Sequence, residues 1–207
     1  MKHNRTVILA NGAFPKSEHL LAIIDAAEQI ICCDGAVNKL VESGREPSII
    51  IGDLDSVNND IKQQYSEKLI HIKDQNTNDL TKSINWCLSQ GIQSVVIMGA
   101  TGEREDHTIA NIALLSRFEQ DIAVEMMTDN GVFIPISEST SFDSFVGQQV
   151  SIFSQNYDIA ISSQALKYPL EELKLSSWWM GTLNESVADS FTISFEGKSR
   201  VIVYLLN

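Results

Sequence analysis

The stretch IIIGDLDSV, Ile49 to Val57, decides how this chain is read. Three isoleucines run straight into Gly52, and Asp53 and Asp55 follow two positions apart. A short β-branched apolar run that stops at a glycine predicts a buried strand ending in a turn. Two carboxylates just beyond that end repel each other. A cation such as Mg²⁺ relieves the repulsion, because it takes carboxylate oxygens and keeps substrate phosphates among its other ligands. The competing reading is a solvated acidic turn or a helix N-cap, since Asp is common in both. Recurrence of the arrangement along the chain favours the metal.

Outward from this stretch, strand and helix patterns alternate up to about residue 130. Strands are predicted at Thr6–Ala10, Gln29–Cys33, Ser48–Ile51, Leu69–Ile72, Ser94–Met98 and Ala123–Met127. Between them lie helical patterns at Leu20–Ala27, Val37–Ser43 closed by Gly44, Asp79–Gln90 and His107–Arg117. Asn76 or Thr77 is the expected cap of the third helix and Gly91 its stop. Such alternation implies a doubly wound, mostly parallel α/β sheet. After Asn130-Gly131 helical periodicity fades. Gln149–Phe153 reads as a strand. Phe191, Ile193 and Phe195 alternate with polar residues, Gly197 interrupts, and Arg200–Leu206 resumes, a pattern that predicts a β-hairpin. The expected organisation is therefore an α/β domain over 1–130 and an antiparallel β-sandwich domain over 131–207. A second domain of about 75 residues buries little surface alone and is expected to pack on the first domain or a partner subunit.

In an open parallel sheet, ligands bind beyond the carboxyl ends of the strands. Four successive strand ends here carry acid: Asp34; Asp53 and Asp55; Asp74 with Gln75, Asp79 and Lys82; and, in GATGEREDH, Gly99, Gly102, Arg104, Asp106 and His107. This pattern suits phosphoryl or pyrophosphoryl transfer, which asks a protein mainly for positioning and charge neutralisation. Aspartates hold Mg²⁺, Arg104 and Lys82 clamp remaining phosphate charge, and the Gly99–Gly102 turn lets backbone N–H groups approach a phosphate. Each residue also has a plain structural reading: helix-dipole complement for Asp79, solvated cations for Lys82 and Arg104, a cap for His107, and core or interface packing for Trp178 and Trp179.

The chain has 207 residues, 43% of them hydrophobic, enough for a full core. Its net charge of -12, with 27 acidic against 15 basic residues, argues against nucleic acid as the main partner. Cys32, Cys33 and Cys87 have no metal-ligand spacing and read as reduced and buried, which fits the cytoplasm. The segment MKHNRTVILANGAF is not expected to be a signal peptide, and no apolar run approaches the length of a membrane span.

Taken together and in order, CDGAVNKL, GDLDSV, DQNTNDLTK and GATGEREDHTIANIALL resemble the thiamine pyrophosphokinase (thiamine diphosphokinase) family. LKYPLEELKL and GTLNES resemble its carboxy-terminal signatures. The resemblance implies an N-terminal α/β domain, a C-terminal β-sandwich, and a homodimer with active sites between subunits. It implies transfer of the pyrophosphoryl group of ATP, with Mg²⁺, to the hydroxyl of thiamine, giving thiamine diphosphate and AMP. By resemblance, Asp53, Asp55 and Asp79 match the metal and diphosphate site. Gln75, Arg104 and Asp106 match polar residues around the nucleotide and diphosphate. Asp34 matches a nearby acid and Lys82 the family's helix lysine. Thr182 and Asn184 fall in the segment lining the thiamine pocket. Leu183 stands where the family carries a hydroxyl, and Tyr168 where animal members carry Trp; its ring still offers a face to a cation. The rivals are a pyrophosphokinase with a pterin acceptor, a non-catalytic thiamine- or nucleotide-binding module, and a metal-dependent phosphate-ester hydrolase. A non-catalytic module would be expected to have lost one of Asp53, Asp55 or Asp79, and a hydrolase would be expected to add histidine ligands.

Overall fold

A computed structural model describes residues 6–207. The reading of the amino-terminal segment falls partly on residues 1–5, outside the described residues. Along the chain run β1 (Thr6–Leu9), α1 (Glu18–Asp25), β2 (Gln29–Cys33), α2 (Ala36–Glu42), β3 (Ile49–Gly52), α3 (Asn59–Gln64), β4 (Leu69–His71), α4 (Asp79–Ser89), β5 (Ser94–Met98), α5 (Glu105–Phe118) and β6 (Ala123–Thr128). There follow β7 (Gly131–Ile136), β8 (Thr140–Asp143), β9 (Gln149–Ser154), β10 (Ser162–Gln164), β11 (Asn184–Glu185), β12 (Ser190–Ser194) and β13 (Val201–Leu206). Two compact units result, Met1–Ile112 with Asp121–Asp129, and Ala113–Gln120 with Asn130–Asn207. Among the described residues, no helix is long and apolar enough to cross a membrane.

In the first unit six parallel strands lie in the order β6-β5-β1-β2-β3-β4. Helices cover such sheets on both faces, so the strands read as continuous apolar runs. Thr6 to Leu9 are accordingly all buried, as are Ile50 and Ile51. The chain steps outward from β1 through β2, β3 and β4, then returns to place β5 on the other side of β1. That reversal opens a crevice beyond the carboxyl ends of β1 and β5. Helix α4 presents Leu80, Ile84 and Cys87 to the interior and is capped by Asn78, whose side chain accepts from the Thr81 amide at 2.9 Å. The cap is therefore neither Asn76 nor Thr77. Both are taken by Asp74, which accepts from the Asn76 amide at 3.0 Å and the Thr77 hydroxyl at 2.6 Å.

The second unit holds two antiparallel sheets, β11-β9-β13-β7 and β10-β12-β8. The predicted hairpin does not form. β12 pairs with β10 and β8, whereas β13 pairs with β7 and β9, so the turn at Gly197 (φ +72°) carries the chain from one sheet to the other. Alternation correctly marks which side chains turn inward, but it does not name the neighbouring strand. Phe142, Phe191 and Ile193 from one sheet share a core with Val150, Ile152, Val201 and Val203 from the other, the arrangement of a β-sandwich. The Phe142 and Phe191 rings stack at 5.0 Å within it.

Candidate functional site

The end of β3 is shaped by close approach. A methyl group added at Gly52 would lie 2.8 Å from the Asp34 Cβ and 3.3 Å from Asp79 Oδ1. Glycine thus lets carboxylates from the ends of β2 and the start of α4 converge on the loop that carries Asp53 and Asp55. Asp34 and Leu54 adopt left-handed backbone conformations, φ +44° and +65°. For leucine this is a strained state, of order 1–3 kcal/mol, of the kind that gathers at functional sites.

Asp34, Asp53 and Asp55 each offer an oxygen within 4.8 Å of the others. Asp34 is 4% exposed. One of its oxygens accepts from the Ser56 amide at 3.2 Å, while Oδ1 is buried with no hydrogen-bond partner. Burial raises the Asp34 carboxyl above its ordinary range, against the opposing hydrogen bonds from Ser56 and Gly35. Asp53 moves the other way, lowered chiefly by the hydrogen bond from Gln75, which is 3.1 Å long. Ser56 also donates to Asp55 Oδ1 at 2.9 Å. Asn38 clamps this loop, donating to the Ser56 carbonyl at 2.8 Å and accepting from the Asn58 amide at 3.0 Å. Ser56 and Asn38 were not singled out from sequence, although both lie inside the motifs GDLDSV and CDGAVNKL.

Asp79 opens α4 on the same rim, with one oxygen engaged by Lys82 at 2.9 Å. Asp34 thus joins Asp53 and Asp55, and Asp79 lines the same cleft. Lys82 is 4% exposed. Burial acts to lower its ammonium pKa, but the hydrogen bond and charge of Asp79, with Asp53 and Asp74 behind, outweigh burial and leave it raised.

The opposite wall comes from β5. Gly99 and Gly102 have φ of +65° and +86°, and the Gly12 and Ala13 amides donate to the Gly99 and Thr101 carbonyls at 2.6 and 2.8 Å. Asn111 of α5 donates to the Ala100 carbonyl at 2.9 Å. Arg104 is held by Asp106 through Nε at 3.1 Å and Nη2 at 2.6 Å. The Arg104 guanidinium draws the exposed Asp106 carboxyl down to about 2. Between the walls is a cleft of about 340 Å³, lined among others by Asp34, Asp53, Asp55, Asp79, Arg104 and His107. That size is in the range of small-molecule sites. Gln75 reaches the cleft through Asp53, and Asp106 reaches it through Arg104. All three cysteines are free and buried, and burial pushes the Cys33 and Cys87 thiols up to about 12.

Thr182 and Asn184 belong to the second unit. The Thr182 hydroxyl donates to the Trp179 carbonyl at 2.7 Å. Asn184 is buried, and its amide is spent on the backbone: it accepts from the Tyr168 and Glu185 amides at 3.1 and 2.9 Å and donates to the Tyr168 carbonyl at 2.6 Å. Around this clamp stand exposed apolar side chains, Trp179 at 75%, Leu183 at 74% and Tyr168 at 61%. Leu183 has a φ of +60°. Trp178 is half-buried and meets Phe153 edge-on at 6.0 Å, whereas Trp179 is no part of the core.

A family model for the thiamin pyrophosphokinase catalytic domain matches residues 20–126, and one for the thiamin pyrophosphokinase substrate-binding domain matches residues 131–204. Thiamin pyrophosphokinase 1 of Caenorhabditis elegans is 29% identical over 164 residues, 72% of this chain and 67% of that protein. Thiamine pyrophosphokinase 1 of rice (Oryza sativa subsp. japonica) is 28% identical over 153 residues, 62% of this chain and 57% of that protein. The chain thus spans between about half and two thirds of the length of these curated relatives. The crystal structure of thiamine pyrophosphokinase from Bacillus subtilis superposes with a TM-score of 0.81, covering 98% of this chain and 99% of that one. At 22% identity that likeness speaks to the fold. With both halves matched in order, the chain belongs to the thiamin pyrophosphokinase family.

Proposed function

We propose that this protein transfers the pyrophosphoryl group of ATP to the hydroxyl of thiamine, forming thiamine diphosphate and AMP. The observation that carries the reading is the carboxylate cluster at the ends of β2 and β3, in a cleft whose other wall is the Gly99–Arg104 loop. The residues fit a hard divalent cation: three carboxylates lie within 4.8 Å of one another, and one buried oxygen, Asp34 Oδ1, has no partner. Asp53, Asp55 and Asp34 would hold Mg²⁺, with Asp79 on the same rim beside Lys82. Bound there, the ion would neutralise phosphate charge and orient the oxygens of ATP.

The chain's own groups supply the rest. Arg104, pre-set by Asp106, offers a planar fork to phosphate oxygens. Lys82, buried against Asp79, offsets acidic charge on that rim, and the Gly99 and Gly102 turns allow backbone N–H groups close to the polyphosphate. Gln75 holds Asp53 in its ionised form. The acceptor oxygen attacks the β-phosphorus. The bond from that phosphorus to the oxygen bridging the α-phosphorus breaks, AMP leaves with that oxygen, and the hydroxyl proton passes to solvent or a nearby base. A loose transition state of this kind asks mainly for alignment and charge.

In this reading the α/β domain over 1–130 carries nucleotide and metal, and the sandwich over 131–207 carries thiamine. Thr182 lines the acceptor pocket, and Asn184 shapes it by holding Tyr168. The exposed Trp179, Leu183 and Tyr168 support a homodimer in which one subunit's sandwich completes its partner's cleft. Free, buried thiols support a cytoplasmic setting. The test is incubation with ATP, Mg²⁺ and thiamine followed by mass analysis. Thiamine diphosphate and AMP in equal amounts are expected. ADP with thiamine monophosphate, or turnover of a pterin alcohol and not of thiamine, would overturn the reading.

A further inference from the structure

Lys39 projects from α2, and its ammonium group donates to the Gly12 carbonyl at 2.8 Å and to the carboxylate of Glu103. Gly12 follows β1 and Glu103 follows β5, so one side chain reaches both loops that leave the switch point, and both residues line the cleft. These loops are already joined through the Gly12 and Ala13 amides. What Lys39 adds is charge. Asp34, Asp53, Asp55, Asp79 and Glu103 all face a cleft that must admit a polyanion. Asp79 is paired with Lys82. Glu103 precedes Arg104, the proposed phosphate clamp, and without a partner it would repel the ligand that Arg104 attracts. Partly exposed ion pairs contribute little to folding. The consequence of this one lies in the potential of the cleft.

We propose that Lys39 is a positioning residue for the nucleoside triphosphate, acting through Glu103: it cancels the glutamate's charge and keeps the Gly99–Arg104 wall receptive to phosphates. This rests on the ATP-dependent reading above. The test compares wild type, Lys39→Met, Lys39→Arg and the double variant Lys39→Met/Glu103→Gln. Calorimetric binding of a non-hydrolysable ATP analogue with Mg²⁺ is read beside KM for ATP, kcat and thermal midpoint. Lys39→Met is expected to weaken analogue binding and raise KM about tenfold, with kcat changed less than about twofold. Lys39→Arg is expected to bind like wild type, and the double variant to recover to within about threefold of it, because the charge left unpaired is gone. Analogue binding by Lys39→Met within about twofold of wild type would overturn the proposal. So would a double variant as weak as the single one, the result if Lys39 only supports the loops. Wild-type protein that binds the analogue but makes no thiamine diphosphate would refute the acceptor reading and leave this test intact.

Discussion

The loop after β3 and the segment around Asn184 both carry short polar motifs, yet their side chains are spent differently. After β3, acids converge without satisfying one another: Asp34 Oδ1 has no partner, and Asp53 and Asp55 remain within reach of it. Around Asn184 the amide is consumed by the Tyr168 and Glu185 backbone, and what is left facing outward is apolar, Leu183 and Trp179 foremost. The first region stores unmet charge, which suits the divalent cation proposed for it. The second uses its polar atoms to hold a shape. Loss of a residue should therefore cost turnover in one and stability in the other.

The largest effect tests the first half of that contrast. Asp53→Asn and Asp55→Asn should each lower turnover at least a hundredfold, about 3 kcal/mol of barrier, as removal of a charge stabiliser does elsewhere. The thermal midpoint of Asp55→Asn should not fall, because a like charge leaves a repelling cluster, whereas that of Asp53→Asn should fall slightly, because the hydrogen bond from Gln75 holds the folded carboxyl below its ordinary range. AMP release and a melting curve on the same samples measure both. A variant that turns over normally is not part of the site, and one that unfolds would make the loop structural.

A subunit-mixing experiment sharpens the comparison between the two regions. Asp55→Asn protein exchanged with Tyr168→Ala protein should regain activity toward about a quarter of wild type, since half of the dimers are mixed and each then holds one intact site. No recovery after demonstrated exchange would separate the regions functionally.

Asn184→Ala should show the opposite profile from Asp55→Asn. It leaves the Tyr168 and Glu185 backbone groups without the side chain that meets them, at a cost of about 1–3 kcal/mol in stability. Denaturant unfolding would measure it. A fully stable Asn184→Ala protein with a raised KM for thiamine would make Asn184 a ligand contact instead.

Much of this organisation was legible in the sequence, and the failures have physical causes. The parallel sheet was readable because β-branched apolar runs such as Ile49–Ile51, with Ile50 and Ile51 fully buried, break at glycine. Helix α3 escaped notice because NDIKQQ offers one buried side chain, Ile61, and no period. β7 carries Pro135, a residue that argues against a strand interior. The β12–β13 hairpin failed because alternation encodes a face and leaves the partner open. The acids of the cleft were recognisable by their place after strands. Asp34 as a companion of Asp53 and Asp55, and Lys39 opposite Glu103, depend on strand order, which residue spacing does not reveal.

Two smaller effects follow. In Mg²⁺-free protein, Asp34→Asn should raise the thermal midpoint at neutral pH. Burial raises the folded carboxyl above its ordinary 3.8, so the native state binds a proton more tightly than the unfolded chain. The ionised acid then costs stability above its folded pKa, and that cost disappears as pH falls toward 3.8. The gain should shrink accordingly on acidification, and saturating Mg²⁺ with ATP should reverse the ranking at neutral pH. An advantage independent of pH would instead report only the left-handed backbone, which Asn tolerates well. The smallest change is expected for Leu183→Gly. Relief of φ +60° against lost chain stiffness should leave stability within about 1 kcal/mol of wild type. A larger loss would mean that Leu183 packs against something in solution.

The most direct test of the account is Mn²⁺ titration, followed by electron paramagnetic resonance in the presence of ATP, of wild type, Asp53→Asn, Asp55→Asn and an Asp74→Asn control. Binding should be at least tenfold weaker in the Asp53 and Asp55 variants, about 1.4 kcal/mol each, and like wild type in the control. Wild-type Mn²⁺ affinity in Asp55→Asn would contradict it.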